Sequence, residues 1–222
     1  MAEGRIEMSQ VYTTSLCSKY RELGVLDLPF LFRDHDHAAR VLDGPIGKEL
    51  MLGLAQKTPI QSLAFTYSGG FRMITAKKPV NTVDDFKGMR IRVAKSEVAE
   101  ATFRAVGAEP VPMNLEDLNV ALDKGELEGG ESTYPRFYSM KQNEVSKIIN
   151  DTKHSLFLTS IVMNAGFWNG LEENLRQIFA EAAKVAALQE RRESVEDIGN
   201  VRRLCKKDGI PVIELSESEK ER

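Results

Sequence analysis

Between residues 87 and 129 apolar and polar positions change period five times, which predicts strand, helix, strand, helix, strand. Met89, Ile91 and Val93 alternate with Arg90 and Arg92, so a strand is expected with one apolar face and both arginines on the other. Helical spacing follows, with Val98, Ala101 and Ala105 on one stripe, Phe103 and Val106 beside it, and Gly107 as the stop. The proline-bracketed run 110–113 reads as a short or edge strand. Asn114 with Asp117 is spaced as a capping box for a helix whose buried stripe is Leu115, Leu118 and Leu122, ended by Gly125.

The flanking segments are less regular. Residues 5–12 alternate imperfectly and predict an edge strand, and the apolar run 26–32 contains Pro29, which predicts a loop with buried side chains. Asp34 caps a helix carrying Ala38, Val41 and Leu42; Gly44-Pro45 breaks it, and a second helix runs to Lys57. A strand over 60–67 ends in Ser68-Gly69-Gly70, and 71–75 begins the next extended segment. Thr82 with Asp85 forms another capping box. Residues 134–138 read as an aromatic turn, 155–164 as a continuous buried strand, and 210–215 as a last strand. From 172 to 207 a helical stripe persists through Leu175, Ile178, Phe179, Ala182, Val185 and Ala186, about 54 Å of helix at 1.5 Å per residue, with Gly199 as a candidate kink.

A formal net charge of −3 removes any general attraction to nucleic acid or an anionic membrane, so an anion site has to be local. No apolar run approaches the ~18 residues of a membrane span. Cys17 and Cys205 fit no metal-ligand spacing and read as two unpaired buried thiols. His35 and His37, two apart among Asp34 and Asp36, do not share a helical face and lack a third ligand nearby, so a polar helix start is the better reading and no metal is expected. No Gly-x-Ser-x-Gly elbow or phosphate loop occurs, and no cofactor is implied. Ligands of open α/β sheets sit beyond the carboxyl ends of strands. Arg92 lies nearer that end than Arg90, and its planar fork matches a carboxylate. Spacing alone fits a solvated strand arginine equally well.

The order GFR, KGMRIRV, VGAEPVPM, a leucine helix and GELEGGES, preceded by LGVLDLPFLFRDHDHAARVLDGPIGKEL, resembles the TRAP-type substrate-binding proteins. These are the extracytoplasmic receptors of tripartite ATP-independent periplasmic transporters for dicarboxylates, sialic acid and sugar acids. The resemblance covers nearly the whole chain and implies an α/β, periplasmic binding protein-like fold. Two lobes would flank a ligand cleft and one long helix would span both. It implies part of lobe I over 1–69, lobe II over 70–154, a return to lobe I over 155–171, the long helix over 172–207, and a lobe II strand and tail over 208–222. By the same resemblance the chain is short at both ends: no secretory signal precedes residue 1, and the family's opening strand–helix–strand is absent.

The implied ligand is a small organic acid, a dicarboxylate, sugar acid or similar. The implied partners are the TRAP permease subunits, the site of action is the periplasm, and the state is a monomer. Arg92 would make the salt bridge to the ligand carboxylate, and Arg72 matches the arginine of the family's G-x-R motif. Glu131-Ser132 stands where Glu-Asn is usual, so Ser132 keeps a hydroxyl but loses an amide donor, which bears on the ligand class. Tyr134 would line the cleft or pack, and Gly69 and Gly70 would be the hinge. Two rival readings are a non-functional or sensory remnant of such a receptor and an α/β enzyme on carboxylated substrates, for which Glu131 is the one candidate base.

Overall fold

Ile91 and Val93 are fully buried and Arg90 is exposed, as the alternation requires, but Arg92 is also buried. That departure marks the end of the sheet where the chemistry gathers. The computed structural model describes residues 3–221. The strands are β1 (Met8–Tyr12), β2 (Ile60–Thr66), β3 (Met73–Ala76), β4 (Arg90–Val93), β5 (Glu109–Pro112), β6 (Gly129–Ser132), β7 (Ile148–Asn150), β8 (Thr159–Asn164) and β9 (Val212–Ile213). The helices are α1 (His35–Asp43), α2 (Pro45–Lys57), α3 (Glu97–Ala105), α4 (Leu118–Asp123), α5 (Tyr134–Ser139), α6 (Gln142–Val145), α7 (Ala165–Gly170), α8 (Glu173–Lys207) and α9 (Glu217–Lys220).

These elements form two compact units. The first takes the residues up to Leu26, Leu31–Ser68 and Leu158–Ser194. Its antiparallel sheet has the order β1-β8-β2, with Val162 and Met163 of the central strand buried. Gln10 Nε2 donates to Thr66 Oγ1 at 2.9 Å and to Thr159 Oγ1 at 3.0 Å, one polar tie across all three strands. Asp34 caps α1 by accepting from the His37 amide.

Helix α8 packs here through Ala183 and Ala187 against Ala64, and buries Arg191 four residues on. The expected stripe through Leu175, Ile178 and Val185 points the other way and is exposed. Small side chains let the helix backbone approach the sheet closely, and Arg191 gains Phe65 O and Asp43 as partners, so the less apolar face is the one turned inward. Gly199 does not interrupt the 35-residue helix.

The second unit takes Asp27–Phe30, Gly69–Phe157 and the chain from Val195 onward. Its mixed sheet has the order β5-β4-β6-β3-β7-β9. Strand β4 is parallel to both β5 and β6, whereas β3 is antiparallel to β6 and β7. Ile91, Val93 and Ile74 pack one face with Phe86, Ala99 and Phe103. Ala99, Phe103 and Val106, spaced i, i+4, i+7, therefore form the inner face of α3, while Ala101 and Ala105 are exposed. The bulk of Phe103 outweighs two alanines in setting the helix's rotation.

Further expectations are corrected by the backbone. Asn114 makes no capping bond; Leu115–Asp117 is a 3-10 turn, and α4 begins at Leu118. The 134–138 aromatic turn is the helix α5, with Pro135 in its first turn where a missing N–H costs nothing. The strand expected over 155–164 begins only at Thr159. Before it, Arg72 N donates to Ser155 O and Phe157 N to Gly70 O, so residues 155–157 pair with the glycine segment instead. Cys17 and Cys205 are free thiols, the second buried and the first only half-buried.

Candidate functional site

Strands β4 and β6 run in parallel and end at the same edge of the second unit's sheet, where antiparallel β3 begins. Arg92 near the end of β4, Ser132 at the end of β6 and Arg72 just before β3 are thereby gathered at one end. Alternation divides them between faces. Arg92 is level with Gly130, two residues before Ser132, so Arg92 and Ser132 share a face, while Glu131 lies on the other with Ile74. Gly130 is required by the first face: a Cβ there would lie 2.6 Å from Leu118 Cδ1 and 3.1 Å from Arg92 Cβ.

The Arg92 guanidinium is aimed by main-chain carbonyls. Nε and Nη2 donate to Met113 O at 3.0 and 2.8 Å, and Nη1 donates to Glu131 O at 3.1 Å. Two carbonyls on neighbouring segments fix the plane of the fork while leaving its charge uncancelled by them. Only 6% of Arg92 is exposed.

Glu131 turns its side chain the other way. Oε2 accepts from Ala94 N at 2.7 Å, while Oε1 lies 3.1 Å from His154 Nε2 and 3.7 Å from Arg72 Nε. Burial pushes this carboxyl up, but the Arg72 guanidinium, His154 and the Ala94 amide outweigh it and hold the group down at about 2. Thr152 Oγ1 lies 2.7 Å from His154 Nδ1, fixing the ring's other edge. Phe103 packs edge-on to the same imidazole.

Ser132 and Thr133 are almost fully buried, and their hydroxyls have no hydrogen-bond partner among the described residues. Tyr134 stands apart from this group. It packs with Met73, Phe137, Ile149, Val201, Cys205 and Ile210, and its hydroxyl lies 3.3 Å from Arg202 Nη1. Gly69 and Gly70 have φ of +100° and +76° at the junction between the units' segments, and a Cβ on Gly69 would meet Thr133 Oγ1 at 2.5 Å.

Sequence reasoning did not single out His154, Phe157 or Arg136 for this region. Arg72 stacks on the Phe157 ring at 4.4 Å and Arg136 at 5.0 Å. Each comes from a segment without a motif, and only folding brings them to Arg72. Among the described residues no His, Cys, Asp or Glu group could hold a metal ion, and no helix is long and apolar enough to cross a membrane.

The family model for DctP, the bacterial extracellular solute-binding proteins of family 7, matches residues 1–222. The chain is 33% identical over 156 residues to the C4-dicarboxylate-binding periplasmic protein DctP of Rhodobacter capsulatus, covering 70% of this chain and 46% of that one. It is 30% identical over 210 residues to the 2,3-diketo-L-gulonate-binding periplasmic protein YiaO of Escherichia coli K12, covering 95% and 64%. A TRAP periplasmic solute-binding protein of Haemophilus influenzae, solved with bound L-gulonate, superimposes with a TM-score of 0.92 at 28% identity, over 99% of this chain and 71% of that one. The chain spans 46% to 66% of the length of these and other curated relatives. With a match over its whole length and an α/β, periplasmic binding protein-like fold, the chain belongs to the bacterial extracellular solute-binding proteins of family 7.

Proposed function

We propose that this chain is the solute-capturing component of a TRAP transporter, which binds a small organic acid anion in the periplasm and presents it, as a monomer, to the membrane permease. The observation that carries this reading is the buried Arg92 fork at the carboxyl end of β4, aimed by Met113 O and Glu131 O beside the buried hydroxyl of Ser132. Arg92 takes the ligand carboxylate as a charge-assisted pair. Ser132 adds a hydroxyl contact, and Arg72, held by Glu131, sets the local field. Gly69 and Gly70 serve as the hinge, since their positive φ values are open to glycine at little cost. The carboxylate of Glu131 already accepts from Ala94 N and is held ionised by Arg72 and His154, so its contacts favour a structural role over that of a catalytic base. A binding role without turnover follows.

The test is a thermal-shift screen of the purified chain against organic and sugar acids. At 100 times its dissociation constant a ligand stabilises the fold by about 2.7 kcal/mol. A hit that Arg92→Ala abolishes is the expected result. A hit that survives this substitution removes Arg92 from the role.

A further inference from the structure

Phe157 has two cations on its ring. Arg72 is 3% exposed and lies near one carboxylate, that of Glu131. Arg136, in the first turn of α5, is half-buried, with Nη1 4.0 Å from Met140 Sδ. Burial lowers the pKa of Arg136 and the neighbouring Arg72 lowers it further, while Glu116 acts more weakly in the opposite sense. Guanidiniums stack well on aromatic faces, but two of them sharing one ring repel each other across a partly desolvated gap. Packing alone does not call for the second charge, because any flat or apolar side chain would cover Phe157.

The charges form one connected series. Arg92 bonds to the main chain of Glu131, the Glu131 side chain faces Arg72, and Arg72 shares Phe157 with Arg136. Three guanidiniums against one carboxylate leave an excess of two positive charges in this series. An acid with one carboxylate neutralises half of that excess; an acid with two neutralises all of it. Arg92 and the Arg72–Arg136 pair are also separate poles, on segments that end at one edge of the same sheet. This is the arrangement that two carboxylates on one short skeleton would satisfy.

We propose that Arg136 is a specificity-determining residue of the ligand site: with Arg72 across Phe157 it supplies a second positive pole beside Arg92 and selects acids carrying two negative charges over acids carrying one. The proposal rests on the receptor reading above and narrows its ligand class to dicarboxylates, whether four-carbon acids or the two-ended acids of sugars.

Isothermal titration calorimetry of the full chain with matched pairs separates charge from skeleton. The pairs are succinate with succinamate, and glucarate with gluconate. The expected result is that the diacid of at least one pair binds about tenfold or more tightly than its mono-charged partner, with a preference that shrinks as salt rises. Arg136→Ala should erase that preference while changing the monoacid affinity by less than about threefold, and Arg136→Lys should restore part of it. An unchanged circular-dichroism melt shows that the variants are folded. Equal weakening of both members of a pair by Arg136→Ala gives Arg136 a packing role only and overturns the proposal. A monoacid bound through Arg92 with no diacid preference overturns it too, but leaves the receptor reading standing. No binding of any acid in these pairs overturns both.

Discussion

Arg92 and Glu131 are joined through the main chain of one and the side chain of the other: Arg92 Nη1 donates to Glu131 O, while the Glu131 carboxylate turns to the opposite face of the sheet to meet Ala94 N, His154 and Arg72. One residue of β6 thus aims the first arginine and anchors the second. Because the carbonyl survives any substitution, the two tasks can be separated experimentally.

Arg92→Ala removes the guanidinium but none of the carbonyls that aim it. Ligand affinity should fall by about 2–5 kcal/mol, because the acid's carboxylate is left desolvated and unpaired. Arg92→Lys should recover little of this, since a single ammonium cannot bond Met113 O, Glu131 O and two carboxylate oxygens in one plane. Calorimetric titration of both variants checks the point. Near-native affinity in Arg92→Lys would mean that charge, not fork geometry, is what the ligand uses.

Glu131 makes stability depend on pH in a defined window. Its carboxyl is held near 2 in the fold against an ordinary value of 4.5, so the unfolded chain binds the proton more readily. The resulting stabilisation, on the order of 3 kcal/mol, is present above about pH 4.5 and is lost as the pH falls toward 2. Urea midpoints measured from pH 7 to pH 3 should fall in the lower part of that range. Glu131→Gln should lower the midpoint at pH 7 and flatten the decline; an equally steep decline in that variant would assign the acid sensitivity elsewhere.

Gly130→Ala tests the close approach beneath Arg92. The new Cβ meets the Leu118 side chain and crowds Arg92 Cβ, so a destabilisation of about 1–3 kcal/mol is expected, as for overpacked cores. Ligand affinity should fall with it, because Arg92 is the neighbour that has to move. Chemical denaturation and titration of the same preparation report both effects.

Arg191→Ala tests the first unit by itself. Arg191 Nε and Nη2 donate to Phe65 O, and Nη1 reaches both oxygens of Asp43. The unsatisfied carbonyl should cost about 1–3 kcal/mol, and the half-exposed Asp43 adds little because water replaces its partner. Arg191→Met, which keeps the stem, should lose nearly as much. A melt indistinguishable from that of the unchanged chain would refute this account of why α8 turns its Arg191 face inward.

Much of the fold was legible along the chain because it follows from local rules. The alternation of Met89, Ile91 and Val93, the Asp34 cap, the break at Gly44-Pro45 and the long helical period after residue 172 each depend on residues within a turn or two. The arginine nearer the strand's carboxyl end was also legible, and that position is where Arg92 is buried. Rotation and partnership were not legible. Which stripe of α8 faces inward depended on how closely Ala64 lets a helix approach, and which face of α3 faces inward depended on where Phe103 finds Ile91 and Val93. The Arg72–Glu131–His154 group and the two arginines on Phe157 join residues 23 to 85 positions apart. No spacing rule connects such residues. Local sequence sets backbone period and stops, whereas the pairing of buried charges is decided by which strands become neighbours, and that is a property of the folded sheet.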